Sequence, residues 1–220
     1  LLVLTPVLVP VVIALLLTGE HYVFYFQERI GRYNRRFNIW KFATMLKDSP
    51  NMQGGLHTTR RDPRVLPLGR FLRMTKINEL PQLINILKGD MSIVGPRPLV
   101  DRTFDPYPEE VKQAIYNVRP GLTGIGSIVF RDEERLLSEC GMPTDVFYKR
   151  YIAPAKGALE LWYQRQMSLW VDCVLIFLTA WVIVFPKSQL LGRFFKDLPE
   201  VDVPGLLPLN SGHNDEREDG

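Results

Sequence analysis

The sequence predicts a helix-rich domain of short, mixed elements held between two apolar helical segments. Three observations carry this: residues 1–18 bear no charge, residues 169–186 bear only Asp172, and between them short periodic runs are cut by Pro and Gly. At 220 residues the chain has room for one sizeable core or two small ones. Apolar residues make up 46% and charged ones 23%, a globular balance, so the apolar runs reflect uneven placement rather than an apolar chain. The expected organisation is a membrane-inserted segment over 1–28, a main domain over 29–199 that includes the second apolar run, and a disordered acidic tail over 200–220.

Charge is as unevenly placed. Residues 29–76 hold twelve Lys or Arg against Asp48 and Asp62, while residues 197–220 hold seven acids against Arg217. A basic block just after an apolar segment suits the cytoplasmic side of a membrane, with anionic lipid and phosphates as partners; a solvated basic surface is the plainer reading. Nucleic acid is disfavoured, because no aromatic residues are spaced as a stacking platform and no reader motif is present. Cys140 and Cys173 make neither a disulfide framework nor a zinc spacing, which points to a reducing compartment. His21, His57 and His213 are scattered and form no metal cluster in sequence.

The first apolar run falls just short of the roughly 20 residues that span a bilayer as a helix. Pro6 and Pro10 each remove a backbone donor, so a helix through them is expected to bend or break, and Thr5 can offer its hydroxyl to a carbonyl so freed. Two arrangements fit: a helix that dips into the membrane and returns to the same face, and a kinked spanning helix. No A-x-A-like site follows, which argues against a cleaved signal peptide.

Further along, 37–46 reads as extended or mixed and 69–76 as one or two helical turns. Residues 79–88 (ELPQLINILK) read as a helix with Leu80, Leu83, Ile84 and Leu87 on one face. Asn78 stands at its N-cap position, Pro81 in the tolerant first turn and Gly89 at its stop. Residues 109–118 form another expected helix, 119–124 (RPGLTG) a tight turn, and 155–167 a helix of mixed polarity. The run 169–186, with Asp172 near its start and Pro186 at its end, fits either an interfacial helix or a buried core helix. Tyr22, Phe24, Tyr25, Trp162 and Trp170 fit an interfacial aromatic belt or the core equally well.

The stretch 62–100 is the most informative. Arg64, Arg70, Arg73 and Lys76 precede the helix marked by Asn78 and Glu79, Asp90 follows it, and Arg97 lies between two prolines in GPRP. Converging guanidinium groups at a helix N-terminus suit a diphosphate. Acids beside them suit a hard cation such as Mg²⁺ that bridges phosphate oxygens. The plainer alternative is a solvated arginine face with Glu79 favouring the helix dipole.

This stretch resembles the signature of the bacterial sugar transferases, also called monotopic phosphoglycosyl transferases. Other blocks match in order: QERIGR at 27–32, KFATM at 41–45, RPGLTG at 119–124, YKRYIAPAKGALELWY at 148–163 and a Ser168/Asp172 pair. The resemblance implies a small α/β (mixed, helix-rich) catalytic domain with an N-terminal membrane-dipping helix, in which Thr5, Pro6 and Pro10 lie, and interfacial helices near the C-terminus. It implies transfer of a sugar phosphate from a UDP-sugar to a polyprenyl (undecaprenyl) phosphate, at the cytoplasmic face of a bacterial inner membrane. Such a step opens exopolysaccharide, capsule, O-antigen or glycoprotein glycan assembly; self-association and downstream glycosyltransferases are further implied partners. In the family an Asp-Glu pair begins the helix that here starts ELPQL. The Asp attacks the β-phosphate, UMP leaves, and the carrier phosphate then attacks the phospho-sugar ester. Carried onto this chain, positions 78, 79 and 90 are catalytic, Glu79 also holds Mg²⁺, and Lys41, Arg64, Arg73, Gln82 and Arg97 bind substrate.

The chain departs from that pattern at the nucleophile, which is Asn78. A carboxylate attacks phosphorus; a neutral amide is a poor nucleophile, although it caps a helix as well. A second departure is Ala43, where the family usually carries Arg. Three explanations stand open: a natural branch in which Glu79 or Asp90 attacks or transfer is direct, an inactive relative acting as a binding or scaffold partner, or an Asn78 that is engineered or deamidates. The sugar is not legible.

Overall fold

The computed structural model describes residues 4–49, 51–52, 62–186 and 188–209. Of the expected acidic tail, 200–209 runs without helix or strand and buries Val203, and the remainder lies outside the described residues. The architecture is mixed and helix-rich, with two small two-stranded sheets.

Helix α1 (Thr5–Leu17) runs through Pro10 without the break that proline leads one to expect. Pro6 sits in the first turn, where a missing donor costs nothing. At 1.5 Å per residue α1 is about 20 Å long, less than a ~30 Å hydrocarbon core, and no described helix is long and apolar enough to cross a membrane. Leu15, with Leu8, Val11 and Val12, packs on Phe42, Leu72 and Val23. Val7, Val9, Ile13, Leu16 and Leu17 remain exposed.

Strands β1 (Phe24–Ile30) and β2 (Arg36–Phe42) form an antiparallel hairpin, in register from Phe24 opposite Phe42 to Ile30 opposite Arg36. Period-two alternation gives it two unlike faces: Tyr25, Gln27 and Arg29 with Lys41 on one, Phe24, Phe26 and Glu28 with Trp40 on the other. Helix α2 (Pro67–Met74) follows, and its Gly69 lies so close to Thr44 that a Cβ would meet the Thr44 carbonyl oxygen at 2.1 Å.

The expected helix over 79–88 divides in two. Ile77–Gln82 is a 3₁₀ turn, and only Leu83–Lys88 is α-helical (α3). Asn78 is therefore inside a turn rather than capping a helix, and the residue preceding the turn is Lys76, held in the left-handed region at φ 61°. The buried side of this segment is polar, with Asn78, Glu79, Gln82 and Asn85 turned inward, whereas Leu87 is 73% exposed. Gly89 ends α3 at φ 83°, as its freedom from a Cβ permits. Asn85 docks α3 on the hairpin: its Oδ1 accepts from the Trp40 N–H at 3.0 Å and its Nδ2 donates to the Asn38 carbonyl at 2.8 Å.

RPGLTG is a strand rather than only a turn. Gly121–Thr123 (β4) pairs in parallel with Ser92–Val94 (β3). The approach is close enough that a Cβ on Gly121 would stand 2.2 Å from the Gly95 nitrogen. Short helices α4 (Asp101–Phe104), α5 (Glu109–Ala114), α6 (Ile125–Val129), α7 (Glu133–Glu139) and α8 (Thr144–Phe147) follow along the chain, with α4 and α5 between the two strands in sequence. A wide π turn, Tyr148–Ile152, leads into α9 (Ala153–Gln166), followed by α10 (Leu169–Val184) and α11 (Leu190–Phe194). The main core lies among α5, α6, α9 and α10 and includes Ile115, Ile125, Leu159, Leu175 and Leu178.

Helix α10 packs one side into the core and leaves the other exposed: Val171, Val174, Leu175, Leu178 and Val182 are buried, while Trp170, Ile176, Phe177 and Val184 are exposed. The Ser168/Asp172 pair serves its docking. Ser168 Oγ accepts from the Val171 N–H at 3.3 Å as an N-cap, and the Tyr163 hydroxyl donates to Asp172 at 2.8 Å. Trp162 belongs to the core.

Candidate functional site

Glu79 is the centre of a buried, charged cluster. Its N–H donates to the Lys76 carbonyl at 3.0 Å, which fixes the 3₁₀ turn and aims the side chain inward. Arg97 donates to both carboxylate oxygens, Nη2 to Oε1 at 2.6 Å and Nη1 to Oε2 at 3.2 Å, and Lys41 Nζ stands 3.6 Å from Oε1. Burial pushes the Glu79 pKa up, but Arg97 and Lys41, with Lys76, outweigh it and hold it well below the usual carboxylate range. Burial pushes the Lys41 ammonium down to about 7 despite the nearby carboxylate.

The cations are brought by distant segments. Lys41 comes from the inward face of β2. Arg97 comes from the GPRP turn, which is braced on three sides. The Tyr116 hydroxyl donates to the Arg97 carbonyl at 2.9 Å and accepts from the Leu99 N–H at 2.9 Å. Arg29 Nη1 donates to the Pro98 carbonyl at 3.1 Å, and the Ile30 N–H donates to the Leu99 carbonyl at 2.9 Å. Arg29 itself is part of the cluster; burial first, then Arg97, lowers its guanidinium to about 10.

Two further polar side chains stand in the same turn without protein partners for one atom each. Asn78 Oδ1 and Gln82 Nε2 are buried and make no hydrogen bond. A buried acceptor and a buried donor left open beside a clamped carboxylate are what a polar ligand would satisfy.

Of the remaining sequence candidates, Arg73 reaches Glu134 of α7 at 2.5 Å and Met45 Sδ at 3.8 Å, and its charge is felt at Lys41. Arg64 is buried against Asp62, with bonds of 2.6 to 3.2 Å, and against the Ser49 carbonyl. Asp90 accepts from Asn85 Nδ2 at 3.2 Å, at the far end of α3 from Glu79. Arg70 is exposed, and Ala43 is packed at the foot of β2 with its N–H donating to the Val23 carbonyl. Sequence reasoning missed Arg29, Tyr116 and the α7 acids. Glu133 pairs with Lys156 at 2.5 Å as Glu134 does with Arg73. The one signal for the acids is the RDEE run after GLTG, which reads equally well as a solvated face.

Among the described residues no three His, Cys, Asp or Glu gather as a ready-made metal site. A single carboxylate suits Mg²⁺, which is commonly held by one or two carboxylates and substrate phosphates. The cluster therefore offers a diphosphate with its cation four basic side chains (Arg29, Lys41, Lys76 and Arg97), one ionised carboxylate, and the open Asn78 Oδ1 and Gln82 Nε2.

The bacterial sugar transferase family model matches residues 1–186. The undecaprenyl-phosphate glucose phosphotransferase of Komagataeibacter xylinus is 35% identical over 202 residues, covering 86% of this chain and 34% of that protein. The UDP-glucose:undecaprenyl-phosphate glucose-1-phosphate transferase of Escherichia coli is 35% identical over 183 residues, covering 82% and 36%. The exopolysaccharide production protein ExoY of Sinorhizobium fredii is 33% identical over 181 residues, covering 76% and 72%. The chain spans about a third of the length of the first of these relatives.

Proposed function

The chain belongs to the bacterial sugar transferases, and on that premise we propose that it transfers a sugar phosphate from a UDP-sugar to a polyprenyl phosphate such as undecaprenyl phosphate. The observation that carries this reading is the buried Glu79 carboxylate held ionised between Arg97 and Lys41, beside the unpaired Asn78 and Gln82 amides. The cations would take the diphosphate as it arrives, since guanidinium and ammonium groups serve phosphate as they serve carboxylate. Glu79 would hold Mg²⁺ together with the substrate's own phosphates; the cation supplies charge neutralisation on the diphosphate.

The neutral Asn78 shifts the nucleophile. Glu79, adjacent in the same turn and kept deprotonated, would be the carboxylate that attacks the β-phosphate once the arriving diphosphate draws Arg97 from one of its oxygens. The bond to the UMP oxygen breaks, UMP leaves, and a phospho-sugar ester forms on Glu79. The carrier phosphate then attacks that phosphorus, releasing Glu79 and giving polyprenyl-diphospho-sugar. Asp90, engaged by Asn85, is the less well placed alternative. Helix α1, too short to cross, would dip into the cytoplasmic face of the inner membrane and keep the site beside its lipid substrate. The reaction would open exopolysaccharide, capsule, O-antigen or glycoprotein glycan assembly.

UMP release from a panel of UDP-sugars, with Mg²⁺ and undecaprenyl phosphate, tests the reading. Release by the unaltered chain, with a phospho-sugar on Glu79 by mass spectrometry, is the expected result; turnover by Glu79→Ala would exclude Glu79. A second reading, a binding partner without turnover, is favoured by the amide at position 78 and is supported if only Asn78→Asp releases UMP.

A further inference from the structure

The hairpin face turned away from Glu79 carries an aromatic cluster that the reaction does not use. Phe26 meets the Trp40 ring edge-on at 4.7 Å, Phe24 meets it at 5.6 Å, and Phe24 stacks on Phe42 at 5.7 Å. Phe24 is nonetheless 38% exposed and Phe26 47%. Lys88, at the end of α3, places its ammonium 5.3 Å from the Trp40 ring centre, with exposed Leu87 beside it in the chain.

Polarity changes along the same face. Beyond Phe26 stand Glu28 and Arg36, and Arg36 pairs with Asp101 at 2.5 Å and with Glu28 at 4.0 Å. The apolar end is the end nearest α1, and the two are packed together: Phe42 packs with Leu15 of α1 and stacks on Phe24. Beneath the surface, buried Leu15 and Phe42 thus fix α1 against the end of the hairpin that carries the exposed rings.

We propose that the Phe24–Phe26–Trp40 end of this face is a second membrane contact, seated at the lipid headgroup level with Lys88 directed to anionic phosphate. The inference rests on α1 lying in the bilayer. Aromatic rings flanked by a lysine are the side chains that settle at that depth. The contact gives the hairpin a fixed height above the bilayer, and with it the opposite face that carries Lys41 and Arg29. A second copy of the chain is the competing occupant; the polarity gradient and the packing of α1 against the apolar end favour lipid.

The test uses the full chain with Cys140→Ser and Cys173→Ser, reconstituted in phosphatidylcholine–phosphatidylglycerol vesicles. An environment-sensitive fluorophore is attached in turn at Ile13→Cys, Phe24→Cys, Phe26→Cys and Glu28→Cys, and quenched by phosphatidylcholine bearing a spin label near the headgroup. Quenching at 13, 24 and 26, with little at 28, is expected. Quenching at 13 alone overturns the proposal and leaves the α1 reading intact; blue-shifted but unquenched emission at 24 and 26 overturns it in favour of a protein neighbour. Equal quenching at 28 removes the gradient and overturns the stated orientation. No quenching at any position, 13 included, overturns the α1 reading and the proposal with it.

Discussion

Arg97→Gln removes the guanidinium that binds both oxygens of Glu79 and leaves the carboxylate buried with Lys41 at 3.6 Å. Breaking a buried pair from one side costs about 3–5 kcal/mol when the remaining charge has no other partner. Here Lys41 stays and the Arg97 side chain is 37% exposed, which admits water to the vacated volume. The expected loss is therefore about 2 kcal/mol, or roughly 4–8 °C in Tm for a domain of this size. The pH dependence separates electrostatics from packing. Glu79 is depressed in the folded protein, so its contribution is present above its unfolded value near 4.5 and is lost as pH falls through the lower folded value. Without Arg97 only Lys41 and Lys76 oppose burial, so the carboxylate takes up a proton at higher pH than in the parent. The gap between parent and variant should be widest near neutral pH and narrow as pH falls into the acid range, in thermal melts of detergent-solubilised protein. A gap of equal size at both ends, or an Arg97→Gln/Glu79→Gln protein no more stable than Arg97→Gln, would refute the reasoning.

Tyr116→Phe should leave the Arg97 carbonyl and the Leu99 N–H without their shared hydroxyl, costing about 1–3 kcal/mol in urea unfolding and weakening UDP-sugar binding through a looser Arg97. Gly126→Ala would set a Cβ 2.5 Å from Glu160 Oε1, and overpacking against this buried side chain should cost about 1–3 kcal/mol by the same measurement. Leu175→Ala, in the centre of the main core, should lose about 2–5 kcal/mol without altering the Glu79 cluster. Lys41 carries its proton below about 7, so UDP-sugar affinity measured by calorimetry should fall as pH rises past that value, and the dependence should flatten in Lys41→Gln.

What could be read in advance follows from how local each determinant is. Gly89 as a helix stop, the strand through Trp40, the helix of mixed polarity now seen as α9 and the apolar character of α1 and α10 each depend on neighbours within a few positions. The 3₁₀ turn at Asn78 does not: Lys76 in the left-handed region and Pro81 inside the segment displace the expected helix start to Leu83. RPGLTG concealed a strand because its partner is Ser92–Val94, far away in sequence, and the contact is made by glycine backbones that carry no pattern. Within the site, Glu79, Lys41 and Arg97 were found through motif blocks, and the structure joins them. Arg64 was grouped with them by proximity in sequence, yet Asp62, two residues earlier, engages it. Arg29 went unassigned because a charged residue in a strand gives no hint of which face it takes until the register is known.

Asn85 has a consequence for solubility. By accepting from Trp40 N–H and donating to the Asn38 carbonyl, its amide imitates one peptide unit of a third strand along the rim of the hairpin. A two-stranded ribbon with an open rim is a template on which other chains can stack. Asn85 covers that stretch of the β2 rim, as the Leu99 carbonyl meets Ile30 on β1, so loss of its amide should show as clumping during expression.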